Sequence, residues 1–176
     1  IHDDIEDNDD ERYGEPTVHA QVGVPAAINV GDYLIGEGYR LLASAGFDGT
    51  VRAEMLLAAA NGHRELCLGQ GEELAFCRRP VPVAEAEVLR IYAQKTSAAF
   101  EVAVQVGAAA AGVDAETRAQ LSAFSQAVGT AYQIQDDIED FRSVRGRAAD
   151  LLAMRPTLFL AAACTCEQPA VRRALH

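Results

Sequence analysis

Two observations on this sequence predict an all-α protein. Alanine, which has the lowest intrinsic cost in a helix, recurs throughout the chain, whereas aromatic residues make up only 6% of it. No segment alternates apolar and polar residues over the length of a useful strand. The 176 residues, of which 49% are hydrophobic, are enough for one domain with a substantial core. We therefore assign the whole chain to helices and their connections.

The breaks between helices can be placed from proline, glycine and capping residues. The pattern predicts helical segments over residues 1–11, 26–45, 50–76, 84–111, 115–141 and 148–166. Residues 12–17 contain a glycine and a proline and are predicted to form a loop. Pro25 fits the first turn of a helix, where its missing N–H costs nothing. Thr50 and Asp114 are the predicted N-caps of the helices that follow them, and Pro156 places a helix boundary near itself.

The charge of the chain limits its partners. The formal net charge is −11 and the pI is near 4.7, so the protein should repel nucleic acid and anionic membrane surfaces. An anionic substrate would need help from metal ions or from a local basic patch. Four scattered cysteines are too few for a disulfide scaffold and are expected to be reduced, as in a cytoplasmic protein. With no signal peptide and no long uncharged apolar run, no stable membrane insertion is expected.

The same acidic pentapeptide, Asp-Asp-Ile-Glu-Asp, occurs at residues 3–7 and again at 136–140. On a helix its first and fifth carboxylates share a face, and like charges this close repel each other. Hard oxygen ligands suit Mg²⁺, which usually takes one or two carboxylates and completes its shell with water and phosphate oxygens. For one copy, a solvated acidic face would be the preferred interpretation. Two copies, each beside an apolar helical run, favour two facing helices that bind metal ions and a diphosphate.

Six motifs in order resemble those of the trans-isoprenyl diphosphate synthases, or polyprenyl synthetases. "HDDIEDNDDERYGEPTVH" is similar to the first aspartate-rich region of that family, and "AYQIQDDIEDF" to the second. Between them, "INVGDYL", "LCLGQGEEL" and "YAQKTSAAF" resemble its Gly-Asp, Gly-Gln and Lys-Thr motifs. "MRPTLFLA" resembles the segment that follows the second aspartate-rich region. The likeness covers nearly all of the chain.

The resemblance implies an isoprenoid synthase fold, which is an all-α bundle around a central active-site cavity. It also implies up to three Mg²⁺ ions, bound with the diphosphate of an allylic substrate. The implied metal ligands and catalytic residues are Asp3, Asp4, Asp7, Asp136, Asp137 and Asp140. The implied substrate-binding residues are Arg12, Lys95, Thr96, Gln133 and Arg155. The reaction would join an allylic diphosphate to isopentenyl diphosphate and release diphosphate, and the family suggests a homodimer.

Each of the supporting residues has a simpler interpretation. Arg12 could merely neutralise Asp9 or Glu11 at the surface, and Lys95 could be a solvated helix charge. Gln133 could be a capping or surface amide. The order of the motifs favours the substrate-binding roles over these.

The chain departs from the family pattern in several places. Tyr13 stands where the family usually has a second Arg, which helps to hold isopentenyl diphosphate, and Arg155 replaces a Lys. The segment between Asp140 and Pro156 is shorter than expected. Either the protein has a deletion there or loop residues near Val144-Arg145 are missing from the sequence, and we favour the second. The start, without Met and without a helix cap, suggests missing N-terminal helices. We expect a single isoprenoid-synthase domain over residues 1–176.

Three other functions stay open at this point. A class I terpene cyclase would ionise an allylic diphosphate without using isopentenyl diphosphate, as Tyr13 would allow. A non-catalytic subunit of a heteromeric synthase is disfavoured because all six aspartates are present. A helical adaptor without enzyme activity would bind neither Mg²⁺ nor diphosphate. In the family that the chain resembles, residues just before the first aspartate-rich region set the length of the product, so the sequence does not predict that length; the small residues Ala26, Ala27 and Gly31 favour room for a long tail.

Overall fold

The computed structural model describes residues 1–78, 82–142 and 153–166, and within them the chain is helical apart from one short hairpin. The all-α prediction is confirmed. The chain divides into two compact units, Ile1–Leu56 and Leu57–His176. In chain order the elements are α1 (His2–Asp7), β1 (Glu11–Arg12), β2 (Glu15–Pro16), α2 (Val18–Val22), α3 (Val24–Ala43), α4 (Gly49–Arg78), α5 (Glu85–Tyr92), a π-helix (Ala93–Ser97), α6 (Ala98–Ala111), α7 (Ala115–Arg142) and α8 (Leu158–Thr165).

Helix α1 is shorter than the sequence predicted. It ends at Asp7 because Asn8 adopts the left-handed conformation, with φ of 58°, that asparagine tolerates better than most residues. The backbone N–H groups of Asn8 and Asp9 turn back to the carbonyls of Ile5 and Asp4, at 3.3 and 2.8 Å, and close the helix. The predicted helix over residues 1–11 was therefore too long by about one turn.

A tight hairpin replaces the predicted loop over residues 12–17. Strands β1 and β2 pair antiparallel, with Glu11 opposite Pro16 and Arg12 opposite Glu15. The two residues between them, Tyr13 and Gly14, have φ values of 54° and 83°. A two-residue hairpin turn of type I′ needs positive φ at both positions, which glycine tolerates and tyrosine rarely adopts. Tyrosine at this position carried no turn signal, which is why the hairpin was missed.

The long helix α3 begins and packs as its sequence indicates. Pro25 lies in its first turn, as predicted, two residues after the N-cap Gly23, whose φ is 84°. Helix α1 packs against α3 at Gly31, where a Cβ atom would lie 2.5 Å from the ring of His2. Glycine at this position is what permits the close approach of the two helices.

Two predicted caps had different outcomes. The cap of α4 is Asp48 and not Thr50, because the Asp48 carboxylate accepts the N–H groups of Thr50 and Val51, at 2.8 and 3.1 Å. Aspartate caps a helix at least as well as threonine does. Asp48, which directly precedes the first residue of α4, therefore takes this role. Asp114 caps α7 as predicted, accepting the N–H of Thr117 at 2.7 Å.

The second unit is built around α5 to α8. Helix α5, the π-helix and α6 form one helical run that matches the predicted helix over 84–111, and α7 packs along the π-helix and α6. The core cluster contains Val83, Val88, Tyr92, Leu160 and Ala161. It joins α5 to α8, whose N-cap Thr157 accepts the N–H of Leu160 at 3.2 Å.

Part of the last predicted helix, 148–166, is seen as α8. Its first residues, 148–152, and the predicted loop around Val144-Arg145 lie outside the described residues. Within the described ranges, none of the helices combines the length and the apolar character needed to cross a bilayer.

Candidate functional site

The first aspartate-rich motif lies on α1 and is paired with an arginine from the hairpin. Asp3 is partly exposed, whereas Asp4 retains only 4% of its accessible surface. Arg12 donates from Nε to Asp4 Oδ1, and its Nη2 lies 3.2 Å from Asp3 Oδ2. The arginine therefore contacts two carboxylates of the motif itself.

The pairing with Arg12 decides the charge of Asp4. Burial by itself would raise the pKa of this carboxyl, but the hydrogen bond and the charge of Arg12 lower the pKa below its usual value. Asp4 is consequently an ionised carboxylate at neutral pH.

Two histidines lie near this motif in the sequence, and only His2 adjoins it. His2 packs on Gly31, and its Nε2 lies 3.3 Å from the carbonyl oxygen of Ile28 and 3.4 Å from the carboxylate of Asp32. These contacts give a structural reason for the Gly-Asp pair in "INVGDYL". His19 interacts through Nδ1 with the hydroxyl of Thr17, at 3.2 Å, beyond the hairpin.

The second aspartate-rich motif lies near the end of α7, and its middle carboxylate is held by neutral donors. Asp136 is exposed, Asp140 is half-buried, and Asp137 is as buried as Asp4, with 4% of its surface exposed. Gln133, one turn earlier, donates from Nε2 to Asp137 Oδ1 at 3.1 Å. The hydroxyl of Tyr92, on α5, donates to Asp137 Oδ2.

The ionised form of Asp137 is less stable than that of an exposed aspartate, because the group is buried and its hydrogen-bond donors carry no charge. Burial raises the pKa of this carboxyl, and the negative charges of Asp136 and Glu73 act in the same direction. The hydrogen bonds from Tyr92 and Gln133 lower the pKa but offset only part of the increase. Asp137 therefore gains more from a nearby positive charge than an exposed carboxylate would.

The Lys-Thr motif lies in the π-helix, which passes between two close-packed glycines. A Cβ atom on Gly69 of α4 would lie 2.5 Å from the backbone nitrogen of Lys95. A Cβ atom on Gly129 of α7 would lie 2.4 Å from Cα of Ser97. Short π-helical segments within α-helices are frequent at functional sites. Because these glycines have no side chain, the backbones of α4 and α7 can lie directly against the backbone of the π-helix.

The polar residues of this segment are connected to both neighbouring helices. The Thr96 hydroxyl donates to Oε1 of Gln133 at 2.5 Å, so that Thr96, Gln133 and Asp137 form one hydrogen-bonded chain. Lys95 donates to Oε1 of Glu73 at 2.7 Å, and Nη1 of Arg155 lies 3.6 Å from the same oxygen. Four of the five predicted diphosphate-binding residues, Lys95, Thr96, Gln133 and Arg155, thus belong to the second unit and lie around Asp137 and Glu73.

The model of the polyprenyl synthetase family matches residues 1–176, the whole chain. This chain belongs to the polyprenyl synthetase family. The predicted family is thereby confirmed.

Polyprenyl synthetases of known activity are similar to this chain. A short chain isoprenyl diphosphate synthase of Methanocaldococcus jannaschii is 38% identical over 140 residues, which are 80% of this chain and 42% of that protein. The farnesyl diphosphate synthase of Escherichia coli is 38% identical over 149 residues, which are 80% of this chain and 49% of that enzyme. The chain spans about half the length of the curated relatives it matches, or less.

The fold is likewise that of polyprenyl synthetases. A geranylgeranyl pyrophosphate synthetase of Pyrococcus horikoshii has a TM-score of 0.87 at 32% identity, covering 99% of this chain and 55% of that one. A Helicobacter pylori geranyltransferase, solved with magnesium and isoprenyl diphosphate, has a TM-score of 0.76 at 26% identity, covering 84% of this chain and 50% of that one. The predicted isoprenoid synthase fold is confirmed.

The carboxylates of the two motifs fit Mg²⁺, although among the described residues they do not by themselves enclose an ion. Across residues 1–78, 82–142 and 153–166, no three His, Cys, Asp or Glu side chains converge as a metal site. Mg²⁺ needs only one or two carboxylates when phosphate oxygens complete its shell. In both motifs the outer carboxylates are at least partly exposed, while the middle one is buried and held by hydrogen bonds. Such a donor set suits an ion that arrives with a diphosphate.

Two residues of the candidate site, Glu73 and Tyr92, were not singled out from the sequence. Glu73 holds Lys95 and Arg155, and Tyr92 holds Asp137. Tyr92 carried a signal that was available, because a tyrosine on the apolar side of a helix needs a partner for its hydroxyl. Glu73 could not be told apart from its neighbour Glu72 in the sequence. Only its burial in the structure distinguishes it.

Proposed function

We propose that this protein is a Mg²⁺-dependent trans-prenyltransferase, which condenses an allylic diphosphate with isopentenyl diphosphate into a longer polyprenyl diphosphate of the geranyl, farnesyl or geranylgeranyl class. One observation carries the proposal. The hydrogen-bonded chain Thr96–Gln133–Asp137 joins the predicted diphosphate donors to a predicted metal ligand. The names of the relatives, which include short-chain, farnesyl and geranylgeranyl diphosphate synthases, support it.

The six aspartates of the two motifs are the proposed metal ligands. Asp3, Asp4 and Asp7 would hold Mg²⁺ on α1, and Asp136, Asp137 and Asp140 on α7, with up to three ions in all. When bound, Mg²⁺ neutralises the diphosphate of the allylic substrate and so makes it a better leaving group. The buried carboxylates Asp4 and Asp137 are already oriented by Arg12, Tyr92 and Gln133, which lowers the entropy lost on binding.

The basic and polar side chains are the proposed binding groups for diphosphate. Lys95 and Arg155 would supply positive charge, and Thr96 a hydroxyl donor. Glu73 keeps Lys95 and Arg155 on one carboxylate oxygen, at 2.7 and 3.6 Å, so both cations are held close together before substrate binds. Arg12 is committed to Asp3 and Asp4, and we propose that it reaches the diphosphate from that position.

The chemistry follows from the charge that these groups stabilise. The allylic carbon–oxygen bond breaks, and its electron pair leaves with the diphosphate, where the cations stabilise it. The double bond of isopentenyl diphosphate then forms the new carbon–carbon bond to the allylic cation. Loss of a proton, for which the released diphosphate is a suitable base, restores a double bond. No histidine base is needed. We further propose that the protein acts in the cytoplasm as a homodimer.

The proposal is tested by isopentenyl-dependent chain growth. The full-length protein is incubated with Mg²⁺, labelled isopentenyl diphosphate and, separately, dimethylallyl, geranyl, farnesyl and geranylgeranyl diphosphates, and the extracted products are sized. We expect label in an elongated diphosphate, and we expect this label to be lost in Asp3→Ala and in Asp136→Ala.

The same pentapeptides supply matched controls. Glu6 and Glu139 occupy the fourth position of each motif and are exposed, so Glu6→Gln and Glu139→Gln should retain elongation. If the allylic substrate is consumed but no label is incorporated, the protein is a terpene cyclase and the proposed elongation activity is wrong. An active-site role would be excluded if the protein neither turned over nor bound Mg²⁺ and diphosphate.

A further inference from the structure

Tyr92 is a buried phenol for which the reaction proposed above has no use. Only 2% of its surface is exposed, and its ring belongs to the core cluster with Val88 and Leu160. Its hydroxyl donates to Asp137 Oδ2, 45 residues further along the chain. A core phenylalanine would have filled the same space, so the packing of the ring gives no reason for the hydroxyl.

Asp137 has one donor for each of its two oxygens. Tyr92 donates to Oδ2, and Gln133 donates to Oδ1 at 3.1 Å. A carboxylate held at both oxygens cannot rotate about its χ2 angle without breaking a hydrogen bond, yet each oxygen retains a lone pair for a cation. The plane of the carboxylate is therefore set by the protein.

The same hydroxyl also anchors the beginning of α8. It accepts the backbone N–H of Leu158 at 3.1 Å, in the first turn of a helix that is capped by Thr157. Arg155 lies two residues before that cap and contacts Glu73, the partner of Lys95. One oxygen atom thus connects the second aspartate-rich motif on α7 with the segment that carries a predicted diphosphate-binding cation.

We propose that Tyr92 is a positioning residue, which orients Asp137 for Mg²⁺ and holds the start of α8 through a single hydroxyl. The proposal rests on the metal role of Asp137 in the proposed function. Groups that orient a metal ligand typically change metal affinity or activity by about 10–100-fold when they are removed. Tyr92 does not contact the substrate in this proposal, and it acts only through Asp137 and α8.

The test removes the hydroxyl and leaves the ring in the core. Tyr92→Phe in the full-length protein is titrated with Mg²⁺ in the presence of inorganic pyrophosphate, by calorimetry, and its thermal unfolding is recorded without metal. We expect the affinity for Mg²⁺–pyrophosphate to fall about tenfold. The Mg²⁺ concentration that half-saturates elongation should rise by the same factor. Tyr33→Phe, which removes an exposed hydroxyl on α3, is the matched control and should change neither.

A rescue variant separates positioning from packing. Replacing Tyr92 by p-aminophenylalanine keeps a donor at the same place and should restore most of the affinity. A Tyr92→Phe protein that unfolds earlier but binds Mg²⁺–pyrophosphate normally would reduce Tyr92 to a packing residue and overturn the proposal. Wild-type protein that binds no Mg²⁺–pyrophosphate would overturn it as well. Binding that weakens in Tyr92→Phe, in a protein that does not elongate, would support the positioning role while the proposed reaction fails.

Discussion

The two aspartate-rich motifs have the same five residues but opposite electrostatics. Asp4 and Asp137 are the second residues of their motifs, and each exposes 4% of its surface. Asp4 is paired with the guanidinium of Arg12, and its pKa is lowered, whereas Asp137 is held by a phenol and an amide, and its pKa is raised. Burial raises the pKa in both places, so the difference comes from the partner.

The comparison also extends to how each motif is supported. The helix of the first motif is six residues long and packs its His2 side chain on Gly31 of α3. The second motif ends a 28-residue helix, which packs its own backbone, at Gly129, against Ser97 of the π-helix. A side chain can move aside, whereas a helix backbone cannot do so without shifting its whole element. The second motif is therefore the more rigidly placed of the two.

The largest expected effect is on catalysis, and it tests whether the two motifs are equivalent in function. Asp4→Asn and Asp137→Asn each remove a proposed metal ligand, and we expect each to lower kcat/KM for elongation by about 100-fold or more. Steady-state assays at saturating Mg²⁺ would measure this. Full activity in one variant alone would show that its motif does not take part in the reaction.

A smaller effect is expected on stability from the two glycines. Gly129→Ala places a methyl group 2.4 Å from a backbone atom and should destabilise the protein by about 1–3 kcal/mol. In Gly31→Ala the nearest atoms to the new methyl group belong to the ring of His2, a side chain that can rotate away, so this variant should lose less stability. Urea unfolding of the two variants measures the difference. Equal losses would contradict the proposed difference in rigidity.

The pH dependence of stability should separate the two buried carboxylates. Because the folded pKa of Asp137 is raised, this group stabilises the fold fully below the usual value of 3.8, and the contribution is lost as the pH rises through the folded pKa. Asp137→Asn should remove that loss, which has a slope of at most about 1.4 kcal/mol per pH unit. Urea unfolding in EDTA, at several pH values above 3.8, measures it.

Asp4 should behave in the opposite way. Its folded pKa is lowered, so its contribution is present above 3.8 and is lost as the pH falls through the folded pKa. Asp4→Asn should therefore reduce the change of the unfolding free energy with pH below 3.8. Asp137→Asn should reduce that change above 3.8. Profiles of the two variants that change on the same side would refute the contrast between the motifs.

The smallest expected effect comes from the ion pair of the first motif. Arg12→Met should destabilise the protein by about 1 kcal/mol or less at neutral pH, because the guanidinium is 43% exposed and the pair is screened by solvent. Arg12→Lys keeps the charge and should lose less. Thermal unfolding of both variants in low and high salt measures the contribution. If the loss of stability does not depend on salt, Arg12 stabilises the protein through packing and not through its charge.

Much of the architecture could be predicted from local sequence. The all-α class, the helical run over 84–111 and the cap at Asp114 depend on propensity, periodicity and a side chain that bonds its own helix. Such interactions are made between residues close in the chain, so their pattern is visible in it. The order of the motifs was sufficient to identify the family for the same reason.

The partners of the site residues were decided by tertiary structure. Tyr92 meets Asp137 across 45 residues and Lys95 meets Glu73 across 22, and no local pattern relates either pair. The hairpin at 11–16 forms although Tyr13 is unfavourable in its turn, because the pairing of Arg12 with the carboxylates of the motif can outweigh the preference of a single residue. The sequence by itself determined where the aspartates lie. Their burial, their partners and hence the opposite pKa shifts arise only in the folded chain, through a nearby hairpin for Asp4 and a distant helix for Asp137, because a pKa depends on the surroundings of a group in space.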